Sequence, residues 1–144
     1  MNCLDQTEAR ELDTRDRCLI SMPFGLLGFE QFKRFALLTN PAEEPFLWLQ
    51  VPEDPKLAFL VISPFAVLQD YRPEIPEEDA QFLDLRRPEE ALIFNIVTLR
   101  GPGAATLNLK GPIVLNRRTL TAKQVIPVNA PELSVAHPLP LHGG

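Results

Sequence analysis

Apolar positions along this chain fall into short runs of strand length, cut by prolines and glycines, and a single stretch carries a helical pattern. Leu19 to Met22 reads as a strand entering a corner bracketed by Gly25 and Gly28. Two glycines three apart let the backbone turn through positive φ or pass close to another segment. Phe24 and Phe29 flank the corner as apolar anchors and predict that it is pinned to a core. Phe29, Phe32 and Phe35 recur at helical spacing, which predicts one helical turn over Glu30 to Arg34. Leu37 to Thr39 and Phe46 to Val51 read as strands, and Leu57 to Ser63 is a continuous apolar run, a strand buried on both faces. Tyr71 to Ile75 is a short strand candidate. Pro76 opens the predicted helix, with Glu77, Glu78 and Asp79 in its first turn, Arg86 and Arg87 past its last, and Ala80, Leu83 and Phe82 inward. Leu92 to Leu99 is the longest strand candidate. It turns at Gly101 and Gly103 into a hairpin partner at Ala105 to Leu109, and Ile113 to Asn116 and Ala122 to Val128 add two more strands.

Seven to nine short strands with one helix are too few helices for alternating βαβ units. The pattern predicts an all-β, mainly β fold: a barrel-like antiparallel sheet of short strands capped by one short helix, with a two-sheet sandwich as the alternative. The 15 prolines sit at segment boundaries, as such a fold requires, and 144 residues suffice for one core. Three parts are expected: an N-terminal arm over 1–17, helical or mobile; a barrel domain over 18–128; and a proline-rich tail over 129–144, extended across the surface.

Charge changes the picture more than composition does. Residues 41–91 hold twelve acidic and four basic side chains, whereas residues 92–127 hold five basic and no acidic ones. With a net charge of −5, direct binding to nucleic acid is not expected, because phosphate contacts need a clustered basic surface. An acidic face would instead steer a basic protein partner or keep RNA away from one. The apolar runs are too short for a membrane helix, and the charged first residues lack the apolar centre of a signal peptide, so a cytoplasmic protein is expected. Cys3 and Cys18 form no CxxC pair and read as ordinary thiols.

The constellations of catalysis are missing from the sequence. There is no GxSxG elbow, Walker loop, HExxH or GxGxxG. His137 and His142 lie in the tail, and Ser21, Ser63 and Ser134 have no histidine near them in sequence. Paired carboxylates such as Glu89 with Glu90 fall in turns, where solvation explains them. Trp48 and Tyr71 sit in neutral or acidic surroundings, unlike the aromatics of an RNA-binding surface. The sequence points to no enzyme, no cofactor and no metal.

Six segments carry a resemblance, in order and at matching separations: MPFGLLGFE at 22–30, FLWLQ at 46–50, DPKLAF at 54–59, IVT at 96–98, TLNLKGPIVLN at 106–116 and KQV at 123–125. Together they make residues 19–127 resemble the flagellar assembly factor FliW family. Leu27 stands where the family usually has proline, Gly111 where it has alanine, and Val51 with Pro52 interrupt a stretch that normally continues. The resemblance implies a non-enzymatic regulator with a barrel-like fold. Similar proteins bind newly made flagellin and also CsrA, a dimeric RNA-binding repressor of flagellin translation, the two competing for the factor.

The partners expected from the resemblance are therefore flagellin and CsrA, with no direct nucleic acid and no membrane, for a chain acting as a monomer. Another protein partner for a small β barrel, or a direct RNA-binding barrel, are the alternatives. Partner contacts are expected at Glu30, Gln50, Glu53, Asp54, Asn108 and Asn116, although Asn108 and Asn116 equally suit backbone groups at bulges and strand ends. An acidic face is expected from Glu43, Glu44, Glu74, Glu77 and Glu78 together with Glu53 and Asp54. At position 27, proline is expected to stabilise the corner by about 0.4 to 1 kcal/mol if the local backbone suits it.

Overall fold

The computed structural model describes residues 16–140. Nine strands alternate with one short helix: β1 (Asp16–Ser21), β2 (Arg34–Thr39), β3 (Phe46–Val51), β4 (Asp54–Ile62), α1 (Glu77–Phe82), β5 (Ala91–Gly101), β6 (Ala104–Leu107), β7 (Ile113–Asn116), β8 (Thr121–Gln124) and β9 (His137–Pro140). The strands form one sheet in the order β4-β3-β2-β1-β8-β7-β5-β6-β9, and a further β4–β5 pairing closes seven of them into a barrel. All ladders are antiparallel except the single parallel pair Ser21 with Thr121, where β1 meets β8. The expected mainly-β barrel with a helical cap is therefore present. Among the described residues no helix is long and apolar enough to cross a membrane.

Alternation explains the interior. Ile20, Phe35, Leu37, Leu49, Val61, Phe94, Ile113 and Leu115 fill the barrel, and Met22 and Leu26 of the glycine corner close one part of it. β5 is long enough to serve twice. Its first half lies in the barrel wall against β7, and its second half leaves with β6 and β9. There Val97, Leu107 and Leu139 meet Ile62 and Tyr71 in a second core.

Several local expectations change. Phe29, Phe32 and Phe35 do not mark a helical turn: Glu30 and Gln31 form a hydrogen-bonded turn, and Phe35 already belongs to β2. Their helical spacing arises because Phe29 and Phe32 pack on the barrel core from a turn while Phe35 enters it from a strand. No strand forms at 71–75, where Tyr71 is buried and its hydroxyl donates to the Leu109 carbonyl at 2.7 Å. In β4 only Val61 and Ile62 are buried, and Leu57 to Leu60 are half-exposed. β8 ends at Gln124, earlier than the sequence pattern suggested, because Val125 turns to donate to the Pro112 carbonyl. The tail is more than an extended strap, since residues 137–140 pair with β6 and bury Leu139. β1 begins at Asp16, inside the expected arm; the rest of that arm and His142 lie outside the described residues. Cys18 is buried and disulfide-bonded, so it is not an ordinary thiol.

Candidate protein-docking site

The glycine corner is a built element. Gly25 and Gly28 both adopt positive φ, +65° and +88°. A Cβ on Gly25 would stand 2.7 Å from the Glu30 Cα, so no side chain fits there. The Glu30 carboxylate accepts from the Gly28 N–H at 3.0 Å and closes the turn. That hydrogen bond is the main reason its pKa lies below the usual carboxylate value.

Three segments distant in sequence converge on this corner through one side chain. The Gln124 carbonyl oxygen accepts from the Leu27 N–H at 2.9 Å, and its amide donates to the Gly111 carbonyl at 3.1 Å. Asn108 lies against Gly111 and caps its own turn by accepting from the Lys110 N–H at 3.0 Å. With its backbone thus held, the corner pushes Leu27 outward, 80% exposed. Leu27, Phe24, Ile126 and Val135 rim a cavity of about 350 Å3, whose polar walls are Glu30, Asn108, Lys110 and Gln124. Phe24 continues the apolar surface onto α1 by packing on Phe82 at 5.0 Å between ring centres. Lys123 lies 4.9 Å over the Phe24 ring and pairs with the buried Asp79 of α1, which fastens the helix to β8.

Of the residues expected to contact partners, the fold brings only Glu30 and Asn108 to this face. Gln50 bridges its own hairpin, donating to the Pro55 carbonyl at 3.1 Å. Glu53 and Asp54 occupy the β3–β4 turn and are exposed. Asn116 is fully buried: its amide donates to the Leu83 carbonyl at 2.7 Å and its carbonyl accepts from the Arg118 N–H at 2.8 Å. It is thus spent on backbone groups.

Two of the expected acidic groups lie at opposite ends of one strand. Glu43 and Glu44 precede β3 and Glu53 and Asp54 follow it, about 20 Å apart along a six-residue strand. Glu74, Glu77 and Glu78 lie on and before α1, and Glu78 shares a helix face with Phe82 four residues later. Sequence reasoning missed Phe24, Phe82, Ile126 and Val135 as surface groups. An apolar residue in a strand or helix pattern looks the same whether it faces in or out. Gln124 was legible only as part of the KQV segment. Among the described residues there is no cluster of three metal-ligating side chains.

A closed seven-strand β barrel with a rigid glycine corner beside an apolar-rimmed cavity defines the class of protein. Comparison with known proteins specifies which. The family described as FliW protein matches residues 3–139. The flagellar assembly factor FliW of Leptospira interrogans is 40% identical over 121 residues, covering 83% of this chain and 81% of that one. The flagellar assembly factor FliW of Geotalea uraniireducens is 38% identical over 133 residues, covering 92% and 80%. A crystal structure of the flagellar assembly factor FliW superposes with a TM-score of 0.74 at 29% identity, covering 86% of this chain and 85% of that one. The chain belongs to the flagellar assembly factor FliW family.

Proposed function

We propose that this flagellar assembly factor acts in the cytoplasm by partner switching: it binds flagellin, and when flagellin is exported it binds and antagonises CsrA. Flagellin synthesis is thereby coupled to export. The observation that carries the reading is Leu27, held 80% exposed at the rim of the cavity by a corner in which the Leu27 and Gly28 N–H groups are both hydrogen-bonded. An apolar side chain presented to water by a rigid element is what an interface offers before its partner arrives. Antagonism is assigned to Glu74, Glu77 and Glu78 rather than to the acids at either end of β3. The α1 group borders the apolar face, and repulsion of phosphate acts over a Debye length of about 8 Å.

The test is calorimetric titration of the purified chain with flagellin, with CsrA, and with CsrA after flagellin. Each is expected to bind alone and flagellin to block CsrA. Leu27→Glu is expected to abolish both without lowering Tm. Reversing Glu74, Glu77 and Glu78 to lysine is expected to weaken antagonism in a gel shift, and reversing Glu53 and Asp54 to leave it. A chain that binds neither protein refutes the reading.

A further inference from the structure

The barrel is closed between β4 and β5 by a short antiparallel ladder. They pair only through Val61 with Ile96 and Ile62 with Asn95, whereas β3 and β4 share six residue pairs. The Ile96 carbonyl accepts from the Asn108 N–H on the β6 side, so strand alternation turns the Val97 and Leu99 backbone groups toward β4. The same alternation turns Leu60 and Ala58 of β4 toward β5. Because the ladder stops at Val61 and Ile96, Ala58 and Leu99 direct N–H and C=O into a seam with no residue paired across it. The seam opens on a cavity of about 520 Å3 whose walls include Trp48, Phe59, Leu60, Val97 and Leu99, the last 61% exposed.

The free edge at β9 is blocked by proline, unlike the β4–β5 seam. β9, at one end of the strand order, carries Pro138 and Pro140 within four residues, which blocks strand addition there. No proline interrupts 56–63 or 91–101. Continuing the β4–β5 register sets Lys56 and Arg100 at the mouth of the seam, both exposed. They are the only charged side chains on either strand from Lys56 onward. Leu27, Asn108 and Gln124 line this cavity and the docking cavity alike, so chain lying on the docking face leads into the seam.

We propose that the β4–β5 seam is a strand-acceptor site. It takes an extended, proline-free segment of a partner polypeptide, with apolar residues at alternate positions and an acidic end at Lys56 and Arg100. Backbone groups supply the affinity and the half-exposed apolar walls take alternate side chains. The site requires neither flagellin nor CsrA, so failure of the partner titrations leaves it standing.

The probe is an array of ten-residue peptides with alternating apolar positions, each made with a Glu-Asp end and with a Lys-Lys end. Each is titrated into the whole chain with emission of Trp48, the sole tryptophan, as readout. Acid-ended peptides are expected to bind saturably and at least tenfold more tightly than their lysine-ended versions. Methylation of alternate peptide nitrogens is expected to abolish binding. The charge preference is expected to invert in the double variant Lys56→Glu, Arg100→Glu, and bound peptide to slow hydrogen exchange at the Ala58 and Leu99 amides. No saturable binding across the array overturns the proposal. Equal binding of methylated and unmethylated peptides also overturns it, by marking an apolar groove without strand pairing.

Discussion

The side chain of Gln124 holds the backbone N–H of Leu27 at 2.9 Å, across 97 residues of sequence. It also donates to the carbonyl of Gly111, where an added Cβ would stand 2.9 Å from the Gln124 amide nitrogen. Leu27 and Gly111, two of the positions at which the sequence departs from the motifs it resembles, therefore meet at one side chain. That geometry reverses the expectation for proline at 27, because proline has no N–H to give. Leu27→Pro is expected to destabilise the chain by about 1 kcal/mol, the value of one hydrogen bond with its acceptor left unmet. Chemical denaturation checks the sign, and Gln124→Ala is expected to abolish most of the difference between leucine and proline at 27.

The two glycines of the corner are not equivalent. Gly25→Ala brings a Cβ against the Glu30 backbone, which has no flexible end to move, and adds positive-φ strain. Gly28 has positive φ but nothing within 4 Å of a Cβ, so Gly28→Ala carries strain alone, about 1 kcal/mol. The melting temperature is expected to fall substantially more for Gly25→Ala, with loss of the Leu27 presentation and hence of partner binding.

Asp79 is the one buried carboxylate among the described residues, and Lys123 is its partner. Lys123→Met keeps apolar bulk over Phe24 but leaves the carboxylate unpaired, which is expected to cost about 3 kcal/mol in urea unfolding at neutral pH. Adding Asp79→Asn is expected to restore part of that loss, because a neutral amide is less costly to bury without a cation.

Acid is expected to loosen the turn after α1. Asp84 is held below its usual pKa by the hydrogen bond from Arg118 and by the nearby charge of Arg86. Glu90 is lowered mainly by the Arg86 N–H, and further by Arg118. Folded values below unfolded ones mean that this contribution is complete above the unfolded carboxylate pKa of about 4 and is lost as pH falls through the lower folded values. Melting temperature against pH is expected to drop below about pH 4. Arg118→Ala is expected to flatten that drop, while leaving the rest of the acid response in place.

Legibility in the sequence followed the physics of each feature. β3 and β7 were readable to the residue because a strand between turns imposes its period locally, and Gly25 and Gly28 because positive φ selects glycine at a single position. Asn116 was readable as a backbone-satisfying group for the same local reason, lying at a strand end. The acidic residues were readable as a population but not as a surface, since chain order sets Glu44 nine residues from Glu53 while β3 sets them at opposite ends.

By itself, then, the sequence determined the mainly-β class, the short helix opened by Pro76, the glycine corner and the family resemblance. All are recorded in local period, special backbone positions or ordered motifs. Only the tertiary structure decided that β5 splits between two cores, that residues 137–140 complete a sheet, and that Leu27 faces water while Leu26 beside it is buried. Which side of an apolar segment meets solvent depends on what packs against it. For Leu27 that is decided by Gln124, a hydrogen-bond partner the chain brings back 97 residues later.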